Sequence, residues 1–139
     1  MAAVALISYL VPAGSKGHRV AGQDLSRQVG PLTISGSERR LFRDRGQLAR
    51  YLRSAGARSR PPAIDFSNRQ LLLVSAGPRS SSGYAVDVLS VTEKDDQITV
   101  KVRERSPILA ERVIPHVTYP YRLLSLPAGE DVYVDWIGR

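Results

Sequence analysis

The chain has 139 residues, a formal net charge of +7, two His and no Cys. That length predicts one domain that buries roughly two-thirds of the surface exposed by its unfolded form, so no disulfide or metal staple is required. The lack of Cys excludes disulfides, thiolate metal sites and cysteine catalysis, and leaves the redox compartment open.

Charge is unevenly spread. Residues 1–60 hold eleven Lys and Arg against three Asp and Glu, a balance of +8, whereas residues 61–139 hold nine against ten, or −1. Arg39, Arg40, Arg43, Arg45, Arg50, Arg53, Arg58 and Arg60 carry the excess, a field that suits nucleic acid or an acidic envelope polymer. A plainer reading competes with it. Only Lys16, Lys94 and Lys101 are lysines, so the arginine excess is also what a compositional habit of the whole chain would leave.

In chain order, residues 2–10 are apolar apart from Ser8, too short a run to cross a bilayer as a helix. They match the apolar core of a secretory signal, with Val11 and Ala13 as small cleavage-site residues but no charged lead-in; an N-terminal strand is the second reading. Residues 14–30 are polar with four glycines and read as a loop or linker, so that an N-terminal segment 1–30 precedes one β-rich domain at 31–139. Pro31-Leu32-Thr33-Ile34-Ser35 predicts a short edge strand. A helix is predicted between Asp44 as N-cap and Gly56 as C-terminal stop, with Leu48, Tyr51 and Leu52 on one face. Pro61-Pro62 stops any continuation.

Leu71-Leu72-Leu73-Val74 is an unbroken apolar run, the mark of a strand covered on both faces. Residues 77–83 form a loop with Pro78, Arg79 and three serines, and residues 84–91 read as the antiparallel neighbour of the first strand, leaving the loop as the exposed part. Residues 93–96 are a charged turn. From 97 to 105, Ile98, Val100 and Val102 alternate with Thr99, Lys101 and Arg103, a half-buried strand. Pro107 ends it, residues 108–116 form a long connection, and residues 121–126 and 132–137 are two further strands around a turn at 127–130. Five or six strands and one helix on the N-terminal side predict a mainly β fold, an antiparallel β-sandwich or partly open barrel.

The residue types argue against catalysis. His18 lies in the glycine-rich leader, which leaves His116 without a second His for a metal and Ser80, Ser81 and Ser82 without an evident base. No Gly-x-Ser-x-Gly elbow is present, and the 77–83 loop lacks the Gly-Lys-Ser/Thr ending of a phosphate cradle. Asp95 and Asp96 fit a solvated turn. A non-enzyme without cofactor or metal is expected.

Several features in order carry a resemblance. Asp65-Phe66-Ser67 leads into the apolar strand and Gly77; Ser82-Gly83-Tyr84 opens the next strand; Val100, Val102, Glu104 and Pro107 follow; and Thr118-Tyr119-Pro120-Tyr121 precedes Leu123, Leu124, Leu126 and Pro127. Over residues 65–127 the chain resembles the C-terminal domain of the PrcB family, named for a subunit of a bacterial surface protease complex. The family usually has Pro-Thr-Gly-Gly-Tyr where this chain has Ser80-Ser81-Ser82-Gly83-Tyr84, and no lipid-attachment Cys is present. The resemblance implies a non-enzymatic accessory protein that associates with a protease, exported to the cell envelope or secreted; a cytoplasmic location is the alternative. More distantly, the chain is similar to the chagasin-type inhibitors of cysteine proteases, which carry two loops at one end of an immunoglobulin-like sandwich. Converging loops would place Arg79, Ser80, Ser81, Ser82, Tyr119 and Tyr121 on one rim. Tyr and Arg supply much of the energy of interfaces. Tyr84 and Tyr121, at the starts of strands, are also candidates for the core, Tyr84 above all, and Tyr119 is the better contact residue.

Two functions follow. One is a protein-binding module acting through the 77–83 and 115–121 loops, with a protease as the implied partner. The other is an anion binder acting through Arg39, Arg40, Arg43, Arg50 and Arg53. The sequence fixes neither the oligomeric state nor what binding does to a partner.

Overall fold

The computed structural model describes residues 5–8, 18–19 and 21–138. In chain order they form β1 (Ala5–Ser8), β2 (His18–Arg19), β3 (Ala21–Asp24), α1 (Ser26–Val29), β4 (Arg39–Phe42), α2 (Arg45–Ser54), β5 (Arg69–Ser75), β6 (Ala85–Lys94), β7 (Gln97–Arg105), β8 (Tyr121–Pro127) and β9 (Asp131–Ile137). The strands make two sheets, ordered β1-β3-β8-β5-β4 and β2-β6-β7-β9. Every pairing is antiparallel except β7 with β9, which is parallel.

β5 explains the architecture. Side chains alternate across a strand, so an all-apolar strand must be covered on both sides. Leu72 and Val74 join Leu124 and Leu126 of β8 in the core between the sheets, against Val86, Val91, Ile98, Val100, Val102, Val134 and Trp136. Leu71 and Leu73 point the other way. With Leu123 they pack under a cover made by Leu25 and Val29 of the α1 region, Leu32, Ile34, and Leu48 and Leu52 of α2. The fold is therefore a sandwich with a third layer, partly helical, laid over one sheet.

The helix boundaries follow from local chemistry. The Asp44 carboxylate accepts a hydrogen bond from the Gln47 amide at 2.8 Å, satisfying one of the free N–H groups of the first turn of α2. Gly56, at φ 81°, takes the left-handed conformation that ends the helix. The β6–β7 hairpin turns on Asp95 and Asp96, both with positive φ as a two-residue type I′ turn requires. Asp tolerates that region better than most residues, which accounts for the charged turn.

Several expectations are corrected. Residues 84–91 are not the sheet neighbour of β5: β5 pairs with β4 and β8, and β6 lies in the opposite sheet. The 77–83 loop is a crossover between sheets, and Gly77, Ser81 and Gly83 in it are buried. The 14–30 segment is not a linker from residue 21 onward, since β3 pairs with β8 and α1 contributes Val29 to the core. Residues 31–35 join no sheet; they run between Leu32 and Ile34 as buried anchors, with the Thr33 amide bonded to the Ala55 carbonyl at 2.8 Å. β4 is a strand that the sequence does not announce. Of the apolar leader, residues 5–8 form β1 against β3, the strand reading; its other residues lie outside the described ones.

Candidate functional site: two loops at one pole

Strand register alone brings the two long loops together. Ser75, the end of β5, pairs with Tyr121, the start of β8, while Ala85, the start of β6, pairs with Arg105, the end of β7. The β5–β6 and β7–β8 crossovers must then cap the same end of the sandwich. They are also bonded to each other. Arg79 and Thr118 form an antiparallel bridge, with N···O distances of 2.8 and 2.9 Å. The Ser82 amide donates to the Ile114 carbonyl at 3.0 Å, and the Ile114 amide returns a bond to Ser82 Oγ at 2.8 Å. Thr118 Oγ1 donates to the Ser81 carbonyl at 2.7 Å.

Gly83 sets how closely the loops approach. A Cβ there would lie 2.6 Å from both Pro107 Cβ and Val113 Cγ1, inside van der Waals contact. Nothing in the sequence marked this position as a packing glycine; the cue lies in residues 24 and 30 positions away that only the fold brings near.

The candidate residues divide by role. Arg79 Nε and Nη2 donate to the two Glu104 carboxylate oxygens at 2.6 and 3.2 Å, tying the first loop to β7 by a two-pronged ion pair. Ser81 is 7 % exposed and accepts from the Gly83 amide, so it shapes the loop. Tyr121 Oη donates to the carbonyls of Gly30 at 2.5 Å and Ser26 at 3.1 Å, clamping α1 to β8. Ser80 and Ser82 are exposed. Tyr119 is half-buried, and among the described residues its hydroxyl has no partner. Tyr84 is half-buried as well and belongs to neither core cluster, contrary to its expected place in the core.

Burial raises the Tyr121 phenol above the ordinary tyrosine range, with a further push from the Asp24 carboxylate that Arg122 partly offsets. Tyr51 is raised too, first by burial and then by its 2.8 Å bond to Glu38. A folded-state pKa above the unfolded one stabilises the fold fully below about pH 10, and that contribution is lost as pH rises through 10 toward the folded value. Thermal melts between about pH 8 and 11 should therefore show Tm falling above pH 10. The fall should be shallower in Tyr121→Phe and Tyr51→Phe.

Two clefts flank the pole and share Pro31, Tyr119 and Tyr121. One, of about 640 Å³, runs past Arg58, His116 and Val117. The other, of about 460 Å³, runs past Arg27, Tyr84, Pro120 and Arg122.

The arginines of the alternative set are all exposed but do not converge as a group. Arg40 and Arg50 line one cleft, beside the Tyr51 ring over which Arg40 sits at 4.8 Å. Arg43 lines another together with Glu130 and Asp131, and Arg39 and Arg53 line neither. Arg40 also approaches Glu38 at 3.6 Å.

Residues 71–127 match the PrcB C-terminal family. The PrcB match takes in β5 from Leu71 onward, the whole of β6, β7 and β8, and both loops of the pole, and it leaves out β4, α2 and the arginines at 39–60. No curated protein and no solved structure matches the chain. Among the described residues no helix is long and apolar enough to cross a membrane, and no group of three or more His, Cys, Asp or Glu is placed to hold a metal ion.

Proposed function

We propose that the chain is a non-enzymatic protein-binding module of the kind that the PrcB name implies, an accessory subunit that engages a protease at the pole formed by the 77–83 and 106–120 loops. The observation that carries the reading is the apolar surface of the second loop. Ile108, Leu109, Ile114 and Val117 are 72, 106, 64 and 58 % exposed, on the loop that is hydrogen-bonded to Arg79 and Ser82. Exposed apolar side chains repeated along one hydrogen-bonded loop, next to Tyr and Ser, are the composition of an interface centre. The family match encloses this loop and excludes the arginine segment, which favours the pole over anion binding.

The test is affinity capture from the native host, with the bound proteins identified by mass spectrometry across a salt series. A protein retained between about 0.1 and 0.5 M salt supports the reading, because counterion release would cost a nucleic-acid complex orders of magnitude over that range. Tyr119→Ala is expected to weaken capture by about tenfold, the effect of removing one interface aromatic, without shifting Tm. Nucleic acid as the only salt-sensitive ligand would replace this reading with the arginine one.

A further inference from the structure

We infer that the paired clefts beside the pole hold an extended, acidic, proline-containing segment of the protein partner; this rests on the binding function proposed above and names the chemistry of what is bound. The clefts share Pro31, Tyr119 and Tyr121, so one segment laid over these residues would occupy both as a single slot. Tyr84 adds to the aromatic wall in one cleft. Flat tyrosine faces alternating with prolines are what polyproline II segments dock against, since such a segment is already extended and loses little entropy on binding.

The hydroxyl groups distinguish wall from contact. Tyr121 spends its hydroxyl on the Gly30 and Ser26 carbonyls and offers only its ring. Tyr84 and Tyr119 have no hydrogen-bond partner among the described residues, and neither ring stacks on another. Both retain a donor for the carbonyls of a bound backbone, which an extended segment without internal hydrogen bonds presents freely.

Charge selects the sequence of the occupant. Arg27 stands in one cleft and Arg58 in the other, both exposed and without an ion-pair partner among the described residues, whereas no Asp or Glu lines either cleft. Asp24 lies nearby but is committed: it pairs with Arg122 at 3.0 Å and accepts from the Ser26 amide at 2.9 Å. An open cation in each cleft, with no anion in either lining, favours a carboxylate in the part of the bound segment that enters each cleft.

The experiment uses the full chain and a fluorescein-labelled peptide of Glu-Pro repeats, about ten residues long and so roughly 30 Å when extended. A Ser-Pro peptide of equal length and an oligouridylate are the controls. The Glu-Pro peptide is expected to bind with Kd near 10 to 100 µM, and the Ser-Pro peptide about tenfold more weakly. Arg27→Glu with Arg58→Glu should cost the Glu-Pro peptide at least about tenfold, with thermal melts unchanged at these two exposed positions, and Tyr84→Ala several-fold. Equal affinity for the two peptides, no binding of either, or oligouridylate binding that resists Tyr84→Ala would each overturn the inference. The binding function is judged separately: if the Arg27→Glu, Arg58→Glu protein still captures its partner while Leu109→Ser does not, the slot is wrong and the pole stands.

Discussion

Gly83→Ala is expected to destabilise the protein by about 1 to 3 kcal/mol and to weaken partner capture with it, an overpacking penalty produced by a single methyl group. That methyl would stand 2.6 Å from Pro107 and Val113, so one of the two loops must shift. Displacement of either breaks the reciprocal Ser82–Ile114 bonds and strains the Arg79–Thr118 bridge. Val113→Ala alone, at a half-buried position, should cost little, yet in the Gly83→Ala background it should recover part of the loss. Denaturant unfolding of the two single variants and the double variant measures this coupling directly. Additive effects would mean that the loops do not depend on each other for their placement.

Leu73→Ala is expected to cost about 2 to 5 kcal/mol, no less than Leu72→Ala, although the two side chains point to opposite faces of β5. Leu72 is 2 % exposed against the second sheet, and Leu73 is fully buried under α2 and the segment around Leu32. An ordinary sandwich strand, wet on one side, would make one of these substitutions nearly neutral. Matched losses in urea unfolding would establish that the helical layer is an integral part of the core. A small loss for Leu73→Ala alone would show instead that the third layer is loosely attached.

Where the sequence carried a local signal, the fold could be read from it. The 71–74 run announced double burial, the alternation from 97 to 105 announced β7, and Asp44 with Gly56 bounded α2 within a residue. Failures came where pairing is decided at a distance. A seven-residue loop with glycines at both ends joins neighbours in a hairpin or partners across a sandwich with equal ease, and here it carries the chain to β6 in the opposite sheet. Arg39 and Arg40 hid β4, whose apolar signal is confined to Leu41 and Phe42 in a basic stretch. α1 has only four residues, too few for a period, and is held by the Leu25 amide on the Leu123 carbonyl and by Tyr121 from nearly a hundred residues away.

The candidate site was legible as two stretches, but the division of labour within it was not. Arg79 reads as a free contact residue until Glu104 is seen beside it, and Ser81 reads as exposed until the second loop covers it. The exposed apolar surface from Ile108 to Val117 gives no signal in the sequence beyond an irregular connection, because apolar residues without periodicity give no hint of which way they face.

The parallel pairing of β9 with β7 bears on how the chain reaches its native state. An antiparallel hairpin can zip from its turn, but β9 has no such route: β8 must first cross to the opposite sheet, and only then does β9 return beside β7, register Gln97 against Asp131 onward. Closing that circuit requires much of the sandwich to be assembled beforehand, so docking of the last strand belongs late in folding. Until it docks, the outer edge of β7 is a row of unsatisfied amides and carbonyls beside uncovered Val100 and Val102, and intermolecular association during refolding should start there.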